Sequence, residues 1–219
     1  MDWIRDRGLT LALMALFAVS LAGQLVAGFH EYNATQLQHR EAEVDVLGYL
    51  YSGHPWGAMF ENWESEFLQM AVFVLLTVRL VQKGSPESRR PGAVEAVDLD
   101  PRGFANQAGV PWPVRRGGWA LRLYEQSLGL AFVLLFLGSW GGHAAGGFTE
   151  FVSEQTAHGV APSTLWEYLR SARFWFESFQ NWQSEFLSIA AMVWLSVYLR
   201  QRGSPESKPV YAAHDETGR

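Results

Sequence analysis

The chain contains no cysteine in its 219 residues, which excludes disulfides, thiolate metal sites and cysteine nucleophiles while leaving the compartment open. Charge is also missing over long stretches. Gly8 to Phe29 carries no charged residue, and Gln126 to Phe148 carries none unless His143 is protonated. At about 1.5 Å per residue, each run is long enough to cross a hydrocarbon core of roughly 30 Å. A basic surplus is absent too: the net charge is -5, and the basic residues do not gather on one folded domain, so nothing points to nucleic acid. The hydrophobic content of 48% is near the soluble average only because polar segments separate the apolar runs.

What is present is a long internal repeat. Displacing the sequence by 119 positions aligns residues 8–88 with 127–207 without a gap, and more than a third of the pairs are identical. The clearest block matches Phe60-Glu61-Asn62-Trp63-Glu64-Ser65-Glu66-Phe67-Leu68 with Phe179-Gln180-Asn181-Trp182-Gln183-Ser184-Glu185-Phe186-Leu187. A second matches Gly84-Ser85-Pro86-Glu87-Ser88 with Gly203-Ser204-Pro205-Glu206-Ser207. The period is too long for a solenoid, and two copies point to duplication of one unit.

The repeat bears on the N-terminus. Arg5, Arg7, an apolar run and the small residues Val26-Ala27-Gly28 imitate a secretory signal peptide. The counterpart of that run, Leu128 to Gly147, lies in mid-chain, so both are read as permanent spans. The second helix of each unit is harder to read. Only twelve uncharged residues separate Glu66 from Arg79, and fourteen separate Glu185 from Arg200, which alone suits a buried or interfacial helix. For two copies to keep one topology, however, the chain must return across the membrane within each unit. The expected fold is therefore all-α, with four transmembrane helices at about 9–29, 60–81, 127–148 and 179–199. Repeat unit 1 is 8–88 and unit 2 is 119–207, joined by a linker at 89–118 and followed by a tail at 208–219.

All of the 17 basic residues except Arg40, Arg170 and Arg173 lie in the N-terminal stub, the 79–122 stretch or the region from Arg200 onward. By the positive-inside rule, both termini and the linker are cytoplasmic. Two crossings per unit make the copies parallel, related by a pseudo-twofold axis along the membrane normal. The linker is rich in Gly and Pro and reads as largely irregular. The outer segments read as amphipathic interfacial helices. Thr164-Leu165-Trp166-Glu167 has capping-box spacing, Asp45 holds the equivalent start in the first copy, and Trp and Tyr follow both. An aromatic lid over a ligand is the alternative for these segments.

Asn62 and Glu66, and likewise Asn181 and Glu185, are four residues apart and share a helix face. A carboxylate within a span typically costs a few kcal/mol and usually faces a bundle interior or a wet cavity. A pseudo-twofold would bring Glu66 and Glu185 toward one another as a proton or cation site. Near-interface carboxylates that merely hold helix register are the competing explanation. Weaker polar candidates are Gln24, His143, Glu31, Glu150, His39 and His158. Glu31 and Glu150 match across the repeat, as do His39 and His158, and His143 stands opposite Gln24. These offer nitrogen and oxygen ligands, but their spacing matches no metal motif, so solvated or hydrogen-bonded side chains are the plainer account. No cofactor is expected. Gly138, Gly142 and Gly146, with Val19, Gly23 and Ala27 as a degenerate copy, form a small-residue stripe for close helix packing within the chain or between subunits.

The 60–69 block and the Gly-Ser-Pro-Glu-Ser-Lys-Pro run at 203–209 resemble a family of bacterial four-helix membrane proteins grouped as a domain of unknown function. The resemblance implies a multi-pass protein of the bacterial inner membrane and carries no catalytic role. The expected function is a membrane module, non-enzymatic, that binds or conducts a proton or cation through Glu66 and Glu185 beside Asn62 and Asn181. Permeation would call for a homo-oligomer, and the lipid bilayer is the one firm partner. The alternative is a membrane scaffold or stress-related protein that binds partners through its outer helices and GSPES segments. A metal- or redox-dependent membrane enzyme comes third.

Overall fold

The computed structural model describes residues 2–218 and contains only helices, turns and loops among them. In chain order the helices are α1 (Asp2–Asp6), α2 (Gly8–Gln38), α3 (Val46–Tyr51), α4 (His54–Thr77), α5 (Trp112–Arg116), α6 (Gly118–Glu125), α7 (Ser127–Ala157), α8 (Leu165–Leu169) and α9 (Ala172–Tyr198). Two single turns of 3-10 helix, Ala96–Asp98 and Pro101–Phe104, precede α5. Helices α2 and α7 are long and apolar enough to cross a membrane. Both have 31 residues and their bounds differ by the same 119 positions that relate the sequence copies. Helices α4 and α9 have the length but carry acidic residues in their first halves, which lowers their apolar content.

The chain divides into two compact units, one of residues 1–60 with 142–174 and the other of residues 61–141 with 175–219. In the first unit, recurrent devices tie the long helices to the short ones. Two hydrogen bonds staple the end of α2 to the following loop: the Asn33 side-chain amide donates to the Val44 carbonyl (3.0 Å), and the Val44 N–H donates to the Asn33 side-chain oxygen (2.8 Å). Near the end of α7, Gln155 makes a similar pair with Ser163, its side-chain amide donating to the Ser163 hydroxyl (3.0 Å) and its side-chain oxygen accepting from the Ser163 N–H (2.8 Å). Asp45 then caps α3 by accepting from the Gly48 N–H (2.8 Å), and Thr164 and Glu167 form a reciprocal capping box on α8. Each satisfies N–H groups that a helix start leaves unbonded.

Two tyrosines anchor these short helices. Tyr49 of α3 and Tyr168 of α8 are buried, and each seats its hydroxyl where a side chain would otherwise stand. A Cβ at Gly28 would lie 2.3 Å from the Tyr49 oxygen, and one at Gly147 would lie 2.2 Å from the Tyr168 oxygen. Fully burying a ring of this size stabilises the fold by about 1.5–3 kcal/mol. Close backbone approach adds to this: a Cβ at Gly53 would meet the Gly146 carbonyl at 2.3 Å, and one at Gly142 would meet the Phe60 ring at 2.5 Å. The small-residue stripe of α7 thus serves internal packing at Gly142 and Gly146, whereas Gly138 and Gly23 have nothing within 4 Å.

In the second unit the GSPES segments form the same turn twice. The Gln82 N–H donates to the Ser88 hydroxyl oxygen and the Gln201 N–H to that of Ser207, both at 2.9 Å. Ser85 accepts from the Glu87 N–H (3.2 Å) and Ser204 from the Glu206 N–H (3.1 Å). The leading glycines hold φ of 89° and 87°, a conformation that favours glycine over L residues. The tail packs onto the first of these turns: the Gly84 N–H donates to the Thr217 hydroxyl (2.9 Å) and the Gly218 N–H to the Ser85 carbonyl (3.1 Å). Lys208 closes the tail, its buried ammonium donating to the carbonyls of Ala213, His214 and Glu216 at 2.9 Å each. The linker is more regular than its composition suggests. Asp100 caps one 3-10 turn through the Arg102 N–H (3.0 Å), and Pro113 sits at the start of α5, where its missing N–H costs nothing.

Candidate functional site

The first unit contains a polar cavity of about 360 Å³, walled by α2, α7 and the segment joining α3 to α4. Its size lies within the range of small-ligand sites. Among its lining residues is His54, the first residue of α4. One ring nitrogen, Nδ1, is 3.0 Å from a Glu150 oxygen of α7, and the other, Nε2, is 3.3 Å from a Glu31 oxygen of α2. Ionised carboxylates only accept, so in the hydrogen bond to Glu150 it is Nδ1 that donates, and protonation of the ring would make the Glu31 contact an ion pair as well. The Glu150 hydrogen bond, and then the charges of Glu150, Glu31 and Glu154, raise the His54 pKa above its ordinary value, against the opposing effect of burial. The ring is enclosed by aromatic neighbours, Tyr32 at 5.4 Å and Tyr49 at 6.1 Å between centroids. Burial foremost, then the charges of Glu31 and Glu150, push the Tyr49 hydroxyl up as well.

Along the same cavity, His39 after α2 and His158 after α7 meet edge to face with centroids 5.2 Å apart. Glu154 pairs with Arg173, and Thr35 donates to Glu31 (3.2 Å). The fold therefore collects four of the residues singled out from sequence, Glu31, Glu150, His39 and His158, into one cavity. His54 was not singled out. Its repeat counterpart is Arg173, and its partners are remote in sequence, so neither repetition nor spacing marks it. Of the remaining polar candidates, His143 is buried and stacks on Phe174 at 4.9 Å. Gln24 is exposed and borders a separate void of about 50 Å³ beside Tyr49, His54 and Met59.

The second unit contains the carboxylates of the 60–69 block. Glu66 and Asn62 are exposed, while Glu185 and Asn181 are half-buried. Glu66 and Glu185 are within electrostatic reach of each other. The Asn181 amide donates to Glu61, and the fully buried acid of α4 is Glu64, which accepts from the Trp182 indole N–H at 3.1 Å. Its counterpart is Gln183, so comparison of the copies draws attention away from it. Edge contacts from Phe136 and Phe179 hold the Trp182 ring in place.

Over residues 1–219 the chain matches the model of a family described as a domain of unknown function (DUF6766). No curated protein and no solved structure matches it.

Proposed function

The chain belongs to the DUF6766 family, and since that membership specifies no activity we propose its function from its own geometry. It is a four-span inner-membrane protein of bacteria, built by tandem duplication with both termini cytoplasmic, that takes up a proton or small cation. Uptake occurs in the outward-facing cavity around His54, and Glu66 and Glu185, beside Asn62 and Asn181, form a second carboxylate site within the spans. The observation that carries this reading is one imidazole held between two carboxylates, with Glu31 and Glu150 each engaging one ring nitrogen. Such a group holds its proton more firmly than a free imidazole and yields it when a carboxylate is neutralised or a competing cation enters. Four crossings are supported by the recurrence of helix bounds at 119 positions, since α4 and α9 occupy matching places after two apolar helices of equal length.

The test is reconstitution in liposomes containing a pH-sensitive dye. The parent should relax an imposed proton or cation gradient faster than empty liposomes. His54→Gln and the pair Glu66→Gln/Glu185→Gln should each slow the relaxation severalfold. Absence of flux from the parent under every imposed gradient would overturn the conducting form of this reading. Absence of proton exchange with the parent in a calorimetric titration across neutral pH would overturn the binding form.

A further inference from the structure

We propose that the cavity also holds a borderline-soft divalent cation, of the zinc or nickel class, at His39 and His158. The site lies in the same cavity as His54 but uses other ligands. Three observations lead there.

First, His158 has a determined tautomer. Its Nδ1 lies 2.7 Å from the Glu154 carbonyl oxygen, one helical turn earlier on α7, and a carbonyl can only accept. The hydrogen is therefore on Nδ1, and in the neutral ring Nε2 presents a lone pair. Donation from the second ring nitrogen to a carbonyl is what orients most metal-binding histidines and raises their basicity.

Second, the ring separation suits a shared ion. With metal–nitrogen bonds of about 2.0–2.1 Å and tetrahedral angles, two imidazoles on one ion have centroids roughly 5 Å apart. The centroids of His39 and His158 are 5.2 Å apart. They come from opposite walls of the cavity, at equivalent places in the two sequence copies, so an ion between them would join α2 to α7.

Third, the surroundings favour a cation. Glu41 stands two residues beyond His39, Glu154 four before His158, and both face the cavity. Arg173, and His54 when protonated, offset the acidic lining. The two nitrogens select zinc or nickel over calcium or magnesium, which prefer all-oxygen ligation. Water can complete the coordination shell.

The experiment uses the full chain in nanodiscs and zinc ions as the probe, titrated calorimetrically and by chelator competition at pH 7. The parent should bind one zinc per chain, and His39→Ala/His158→Ala should weaken it at least tenfold. His54→Gln, which removes a charge of the same sign as the ion from the cavity, should not weaken it. His158→Cys tests the same point independently of any loss of folding: the thiolate keeps a ligand in place, so zinc binding survives within about tenfold. Cobalt(II) should then give a near-ultraviolet thiolate charge-transfer band, unambiguous because the chain has no other cysteine. The proposal is overturned if the parent binds no zinc, if the double alanine variant binds like the parent, or if the cysteine variant shows no band. Loss of zinc in His54→Gln alone would also overturn it, by placing the ion at the other cluster.

Discussion

At the scale of single residues, His54 carries the most consequence, because its charge state is tied to both long helices at once. Glu150, Glu31 and Glu154 raise its pKa, and Tyr49, packed near it, is neutral in the same range. A raised histidine pKa contributes stability that is fully present below the unfolded-state value near 6.5 and is lost as pH rises through the higher folded value. Melting temperature measured in detergent should therefore fall as pH is taken upward from about 6.5. His54→Gln should melt lower than the parent at pH 6 and show a flatter profile above it. A parent profile that rises or stays level over that interval would contradict the imidazolium bridge. The glutamates at this bridge could be picked out from sequence because repetition marks Glu31 and Glu150 as a pair. The histidine could not. Its charge partner on α7 is 96 residues away, and in the second copy its place is taken by Arg173, which engages Glu154 instead.

At the scale of elements, the repeated turns show how environment sets the worth of one hydrogen bond. Ser88 and Ser207 accept the same backbone donor at the same 2.9 Å, but Ser88 is buried under the tail and Ser207 is half-buried. Removing an acceptor leaves the donor unsatisfied, at about 1–3 kcal/mol when water cannot replace the partner and less when it can. Ser88→Ala should thus lower the melting temperature measurably more than Ser207→Ala; equal shifts would mean the tail does not exclude water from the first turn. The same scale explains what sequence reveals. The caps at Asp45 and Thr164 are local chemistry, readable from spacing, and both helices start there. The docking of Tyr49 on Gly28 and of Tyr168 on Gly147 joins residues 21 positions apart through shape alone. Repetition of both members is visible in the sequence, whereas their contact is a product of the fold. Likewise, the prolines of the linker look disruptive in a list but act locally as helix starters, as Pro113 does in α5.

At the scale of the whole molecule, the absence of cysteine turns topology into a direct measurement. Single cysteines at Glu43→Cys and Pro162→Cys fall between the long helices and the second helix of each copy, and Gly109→Cys falls in the linker. All three positions are exposed. With an impermeant maleimide on intact spheroplasts, the four-span arrangement predicts labelling of the first two and protection of Gly109→Cys until the membrane is opened. Labelling of Gly109→Cys from outside, or protection of the other two, would reject it. Apolar runs in α2 and α7 and the bias of arginine and lysine could be read from sequence alone; the acidic first halves of α4 and α9 give no such signal, so the proposal of two more crossings rests on repetition.

The length of α2 and α7 bears on how the cavity would respond to an energised membrane. Thirty-one residues make a helix of about 46 Å, some 15 Å more than a hydrocarbon core of about 30 Å. Glu31, His39, Glu150 and His158 all lie in or just past the final turns, in that excess. A transmembrane potential drops across the hydrocarbon, and a charge moved through it does work of about 2.3 kcal/mol per 100 mV. An ion entering the cavity from the outer side would cross almost none of that drop. Occupancy would then follow the acidity and metal content of the outer compartment and be nearly indifferent to voltage, while any charge carried onward to Glu66 or Glu185 would not be.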